Sequence, residues 1–193
     1  MKEAKFNTTL MFVDNLAEAG VPDEYKNPLL TWIKLVFADD QPNANNQGIK
    51  QSEFPNLIKS MSYMPIKANY NPEEVNVQGH DDAIQIGVLR EGQQEGNKVV
   101  AIGALYNDEF PDVVSFFKTE TSEGRAVNFS WEIRYKDSEM ENDVEWLVGT
   151  TTKAITAVKF PAYDGRTPLV SISSFALMEA IDEELKKRKI GVR

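Results

Sequence analysis

Residues 127–135 carry the pattern that most constrains how this chain can fold. Val127, Phe129, Trp131, Ile133 and Tyr135 alternate with Asn128, Ser130, Glu132 and Arg134. A two-residue period puts the first set on one face of a β-strand and the second on the other, so one side is core and the other polar. Shorter apolar runs at 8–13, 84–88, 98–105, 144–148, 155–160 and 169–172 also read as strands. The acidic, Gly-containing stretch 91–97 reads as a hairpin connection that pairs 84–88 with 98–105 antiparallel. Residues 136–143 read as an acidic linker.

Helical spacing predicts a helix where Leu29, Leu30, Ile33, Val36 and Phe37 follow the turn Gly20-Val21-Pro22-Asp23. Residues 39–48 are loop or hinge on composition, since Asn, Asp, Pro and Gly favour turns. Ser52 then caps a short helix carrying Phe54, Leu57, Ile58 and Met61, which ends before the extended Met64-Pro65-Ile66-Lys67. Val113, Val114, Phe116 and Phe117 predict a crossing helix over 110–118, leaving through Thr121-Ser122-Glu123-Gly124. After a Pro/Gly loop at 161–168, residues from Ser174 place Phe175, Leu177, Met178, Ile181 and Leu185 on an amphipathic helix. Its acids come early and its bases late, as the helix dipole prefers.

Composition narrows the chemistry. The 193 residues include no cysteine and one histidine, which excludes a disulfide framework, thiolate catalysis and Cys-ligated zinc or iron–sulfur sites. With 30 acids against 21 bases the net charge is −9, so the polyanionic backbone of a nucleic acid is an unfavourable partner. No apolar run approaches the ~18 residues of a membrane span. The start, MKEAKFNTTLMFV, lacks the apolar stretch of a signal peptide. Cytoplasm, of a cell or of an infected cell, is the expected location.

His80, the lone imidazole, lies in Gln78-Gly79-His80-Asp81-Asp82 just ahead of a strand. With no Cys or second His, only carboxylates could join it in a metal site, and the side chains of Asp81 and Asp82 diverge as sequence neighbours. Near neutral pH an imidazole can instead accept a hydroxyl proton and return it to a leaving group. Ser130 is the candidate nucleophile, on a strand whose other face is anchored by Phe129, Trp131 and Ile133. The plainer reading of Ser130 is a solvent-facing strand serine. Gly-x-Ser-x-Gly, Gly-x-Gly-x-x-Gly and the P-loop pattern are all absent, which excludes a nucleophile elbow and a phosphate-binding loop of those kinds. The acids Glu132, Asp137, Glu139, Glu141, Asp143 and Glu145 read as a solvated rim.

Four segments together resemble the capsid maturation (prohead) proteases of tailed bacteriophages, whose fold is similar to that of the herpesvirus assemblins. Residues 39–60, with Asn45-Asn46-Gln47-Gly48-Ile49 leading to Glu53-Phe54, resemble the family's opening segment. His80 ahead of Ile86-Gly87-Val88 resembles the catalytic histidine before its strand. Asn128-Phe129-Ser130-Trp131-Glu132-Ile133 resembles the strand of the nucleophilic serine, fifty residues on, and 154–163 resemble the strand ending in Pro-Ala. The match covers roughly 39–172.

The resemblance implies an α+β fold, a mainly antiparallel β-barrel core with peripheral helices. It implies a single protease-like domain over 1–173, with 1–38 as an N-terminal strand and helix addition and 174–193 as the C-terminal amphipathic helix. The implied activity is that of a serine endopeptidase without cofactor or metal, acting on scaffold and major capsid protein precursors inside the assembling prohead in the host cytoplasm. Homodimerisation is a further expectation, with no nucleic-acid or membrane partner. His80 would be base and then acid for Ser130. The family's candidate third member, an acid in the last strand, falls here on Ala154. Glu132 and Glu145 are the alternatives for orienting the imidazole, and Glu132 could equally pair with Arg134. Backbone N–H groups near Arg166 would stabilise the oxyanion, unless Arg166 simply fixes its loop. Two other readings remain: a non-catalytic virion or scaffold component of the same fold, and a small binding module acting through 43–47.

Overall fold

Strands account for just over half of the described residues. The computed structural model describes residues 2–12, 27, 29–43 and 45–159. They form β1 (Lys2–Phe12), β2 (Leu30–Asp39), β3 (Gln47–Gly48), α1 (Phe54–Met61), β4 (Pro65–Ala68), β5 (Tyr70–Asn71), β6 (Asn76–Val77), β7 (Ile84–Glu95) and β8 (Lys98–Tyr106). α2 (Pro111–Ser122), β9 (Asn128–Tyr135), β10 (Asp137–Glu141), β11 (Val144–Val148) and β12 (Thr151–Val158) follow. The turn at 20–23, the loop at 161–168, the strand at 169–172, the C-terminal helix and Arg166 lie outside the described residues.

Seven strands make one curled sheet in the order β1-β2-β8-β7-β4-β12-β9, with β1 pairing β2 on one side and β9 on the other. β12 and β4 run parallel, Ile155 opposite Ile66 and Thr156 opposite Lys67. The other neighbours in this sheet are antiparallel. The strand-rich α+β character is as the sequence predicts, and the seven strands are mainly but not wholly antiparallel, because β4 and β12 run parallel. A parallel pair needs a long crossover, and residues 69–150 between β4 and β12 supply it.

One face of this sheet holds the core. Phe129, Trp131 and Ile133 of β9, Ile33, Leu35 and Phe37 of β2, and Ile155 and Ala157 of β12 are all fully or almost fully buried there. Trp131 stacks with Phe37 at 6.3 Å between centroids, and α2 sets Phe117 edge-on to Phe129 at 5.7 Å. α1 packs beside β7 and β12. Ser60 Oγ accepts the Thr152 N–H at 2.9 Å, and Glu53 accepts the N–H of Thr150 at 3.0 Å, so the helix fixes where β12 begins. A 3-10 turn over Gln51–Glu53 leads into α1, and no side chain caps it; Ser52 is therefore not the cap that the sequence suggests.

Three local expectations are overturned. The predicted helix over 29–37 is strand β2. Its Ile33, Leu35 and Phe37 face the main core while Trp32 and Val36 pack with Ile102, Ala104 and Val100 of β8. A strand buried on both faces loses its period of two, so the helical spacing was a by-product of a continuous apolar run. The hairpin connection at 91–97 shrinks to Gly96 and Asn97, because β7 continues through Glu95. The acidic linker is strand β10, joined to β11 by Asn142 and Asp143, both at positive φ (52° and 61°), as a tight hairpin turn requires. Charge on a solvated edge strand hid it.

Candidate active site

Period-two geometry puts Ser130 and Glu132 side by side on the face of β9 opposite Phe129, Trp131 and Ile133. This face is not the solvated one the alternation suggests: Ser130 is 2% exposed and Glu132 4%. Two neighbouring strands extend it. Thr156 of β12 stands across from Ser130, and Lys67 of β4 across from Thr156.

His80 reaches the same face from the loop between β6 and β7. The backbone of Gln78 ties that loop down on two sides, donating to the carbonyl of Asn69 beyond β4 (2.8 Å) and accepting from the N–H of Lys159 beyond β12 (3.0 Å). Asn69 Nδ2 also donates to the Asp81 carbonyl at 2.7 Å. Asp82 takes a positive φ of 55°, a conformation that Asp tolerates better than most residues. The two aspartates thus shape the turn that carries the imidazole.

The imidazole joins the two polar residues of β9. His80 Nε2 lies 2.7 Å from Ser130 Oγ, and Nδ1 lies 3.3 Å from Glu132 Oε1. Glu132 also accepts from Thr156 Oγ1 at 2.9 Å and pairs with Lys67 Nζ at 3.3 Å and Lys153 Nζ at 3.4 Å. The His80 hydrogen bond holds its carboxyl far below the usual carboxylate range, aided by Thr156 and Lys67 and opposed by burial. An ionised carboxylate only accepts. In the neutral ring, Nδ1 therefore carries the proton and Nε2 is left to accept the Ser130 hydroxyl. A serine hydroxyl, an imidazole and a carboxylate in that order can activate the hydroxyl as a nucleophile and shuttle its proton.

The sequence candidates divide accordingly. Ser130, His80 and Glu132 meet in one cluster. Glu145 does not join them: it sits on β11 in the small sheet β10-β11-β3, accepting from Gln47 Nε2 at 2.6 Å and from the Tyr135 hydroxyl at 3.5 Å. Arg166 lies outside the described residues. Ala154 is buried directly across from Glu132, so the carboxylate of this site comes from β9 at the cross-strand position where β12 has no acid.

Sequence reasoning missed Lys67, Lys153 and Thr156. Lys67 had a signal, a charged slot between Ile66 and Ala68, and Thr156 another, between Ile155 and Ala157. Lys153 had none, because it is the extra residue of a β-bulge: Thr152 pairs with Ile133 and Ala154 with Glu132, and the register shifts between them at Lys153. A bulge re-aims its side chain, and here it sends a lysine to the carboxylate's face. Among the described residues no three His, Cys, Asp or Glu side chains group to hold a metal ion, and no helix is long and apolar enough to cross a membrane.

No protein-family model matches the chain, and no curated protein matches it. Among solved structures it is similar to the bacteriophage T4 capsid assembly protease, gp21, at 12% identity and a TM-score of 0.42, over 83% of this chain and 100% of that one.

Proposed function

We propose that this protein is a serine endopeptidase that cleaves scaffold or capsid-protein precursors inside an assembling phage head. The observation that carries the reading is the 2.7 Å contact between Ser130 Oγ and His80 Nε2, with Glu132 on the other ring nitrogen. The sequence resemblance named the same histidine and serine from their order and spacing.

In this reading Ser130 Oγ attacks the peptide carbonyl carbon as its proton passes to His80 Nε2. Glu132 holds Nδ1–H in place and balances the imidazolium that forms. The tetrahedral intermediate collapses when Nε2–H protonates the departing amine, and a water deprotonated by the same nitrogen then hydrolyses the acyl-enzyme. Donors near Arg166 remain the candidates for the oxyanion. The side chains of His80, Lys67 and Lys153 keep 21%, 25% and 32% exposure and mark the side from which a polypeptide approaches.

A second reading has one observation in its favour: Ser130 itself is nearly sealed, as a structural serine in a non-catalytic head component of this fold would be. Two measurements separate them. A fluorophosphonate probe is expected to label wild-type protein and not Ser130→Ala. Capsid-precursor cleavage during head assembly is expected to stop in Ser130→Ala and His80→Ala. Cleavage that continues unchanged in both variants would falsify the protease reading.

A further inference from the structure

Glu132 is held by more cations than its charge requires, and each comes from a different strand. Lys67 Nζ on β4 lies 3.3 Å from Oε1 and 3.5 Å from Oε2, and Lys153 Nζ on β12 lies 3.4 Å from Oε2. Resting on the proposed reaction, the geometry points to Lys67 and Lys153 as positioning residues that clamp Glu132, keeping Oε1 turned to the imidazole.

Three observations support this division of labour. Oε1 already carries the His80, Thr156 and Lys67 contacts, so the orientation of the carboxylate decides whether the imidazole is held. Lys153 approaches the other oxygen, and it reaches this face only because of the bulge, which interrupts the pairing of β12 with β9 at this position. Both lysines meet the carboxylate, and the carboxylate meets the imidazole that receives the Ser130 hydroxyl. Along that chain of contacts the lysines act on the hydroxyl by way of the carboxylate. With both ammonium groups beside it, Glu132 is a poor proton acceptor, so a proton taken from Ser130 stays on the imidazole for delivery to the leaving group. Removing either cation lets the carboxylate swing toward the remaining one and loosens the Nδ1 contact.

The test has two arms. In the first, the rate of fluorophosphonate labelling at Ser130 is expected to fall by about tenfold, worth ~1.4 kcal/mol, in Lys67→Met and in Lys153→Met, and to recover in Lys67→Arg, which keeps the cation. Met variants that label at the wild-type rate, or a slow Lys67→Met that Arg does not restore, overturn the clamp. In the second arm, the single histidine gives one imidazole pattern in a nitrogen-15 spectrum. The wild-type ring is expected to be protonated at Nδ1 and the Lys67→Met ring to shift toward a mixture of tautomers; an unchanged pattern counts against the clamp. If wild-type protein does not label at all, the protease reading falls and the spectroscopic arm alone decides this inference. Should Lys67→Met fail to fold, Lys153→Met, at the more exposed lysine, carries both arms.

Discussion

At Glu132 a carboxylate only 4% exposed is held by His80, Thr156, Lys67 and Lys153. Its proton affinity in the folded chain lies below the ordinary 4.5, first because of the His80 hydrogen bond. The sign of the pH effect follows. As pH drops below about 4.5 the unfolded chain takes up this proton before the folded one does, so the stability contributed by Glu132 is complete above that pH and is lost below it. Urea midpoints measured from about pH 7 down to about pH 3 should fall, and Glu132→Gln should flatten the fall while costing about 1–3 kcal/mol at neutral pH. Glu132→Gln should also slow fluorophosphonate labelling, because a neutral amide cannot balance the imidazolium.

The residue scale is also where the sequence was most readable. His80 and Ser130 stand out because a chain with one imidazole and one well-patterned strand offers few alternatives. Which acid serves the ring was open between Glu132 and Glu145, since spacing along the chain does not say which of two carboxylates a distant loop will meet. The fold answers it through the stitching of the His80 loop to the ends of β4 and β12.

Among the elements, β9 was legible and β2 was not, for opposite reasons. β9 has one apolar and one polar face, and the two-residue period survives. β2 buries both faces and becomes a run of apolar residues that fits a helix as well as a strand. The bulge at Lys153 leaves no mark in the sequence, because it is a relation between two strands and not a property of one. β7 and β8 show how closely such relations are set: a Cβ at Gly87 would lie 2.3 Å from the carbonyl oxygen of Ala104. Backbone cannot yield there as a flexible side chain can. Gly87→Ala should therefore destabilise the protein by about 1–3 kcal/mol, read as a lower denaturant midpoint.

For the whole molecule, the mixed curvature of the sheet depended on a pairing, β4 with β12, whose partners lie far apart in the chain and which no local pattern announces. The polar cluster and the apolar core are two faces of the same strands. Trp131, between Ser130 and Glu132, rests on Phe37 of β2 across the core. Phe37→Ala should cost about 3–5 kcal/mol. Near its own unfolding midpoint, the variant should lose probe labelling in step with the loss of near-ultraviolet dichroism.

His80 belongs to no strand; it hangs from a backbone bridge, Gln78, that spans the far ends of two parallel neighbours. If those neighbours slipped by a residue, the bridge would fall out of register and the ring would be carried away from the hydroxyl. A chain assembled in the wrong register would thus be chemically silent, and any turnover this protein performs is at the same time a report that its sheet has been put together correctly.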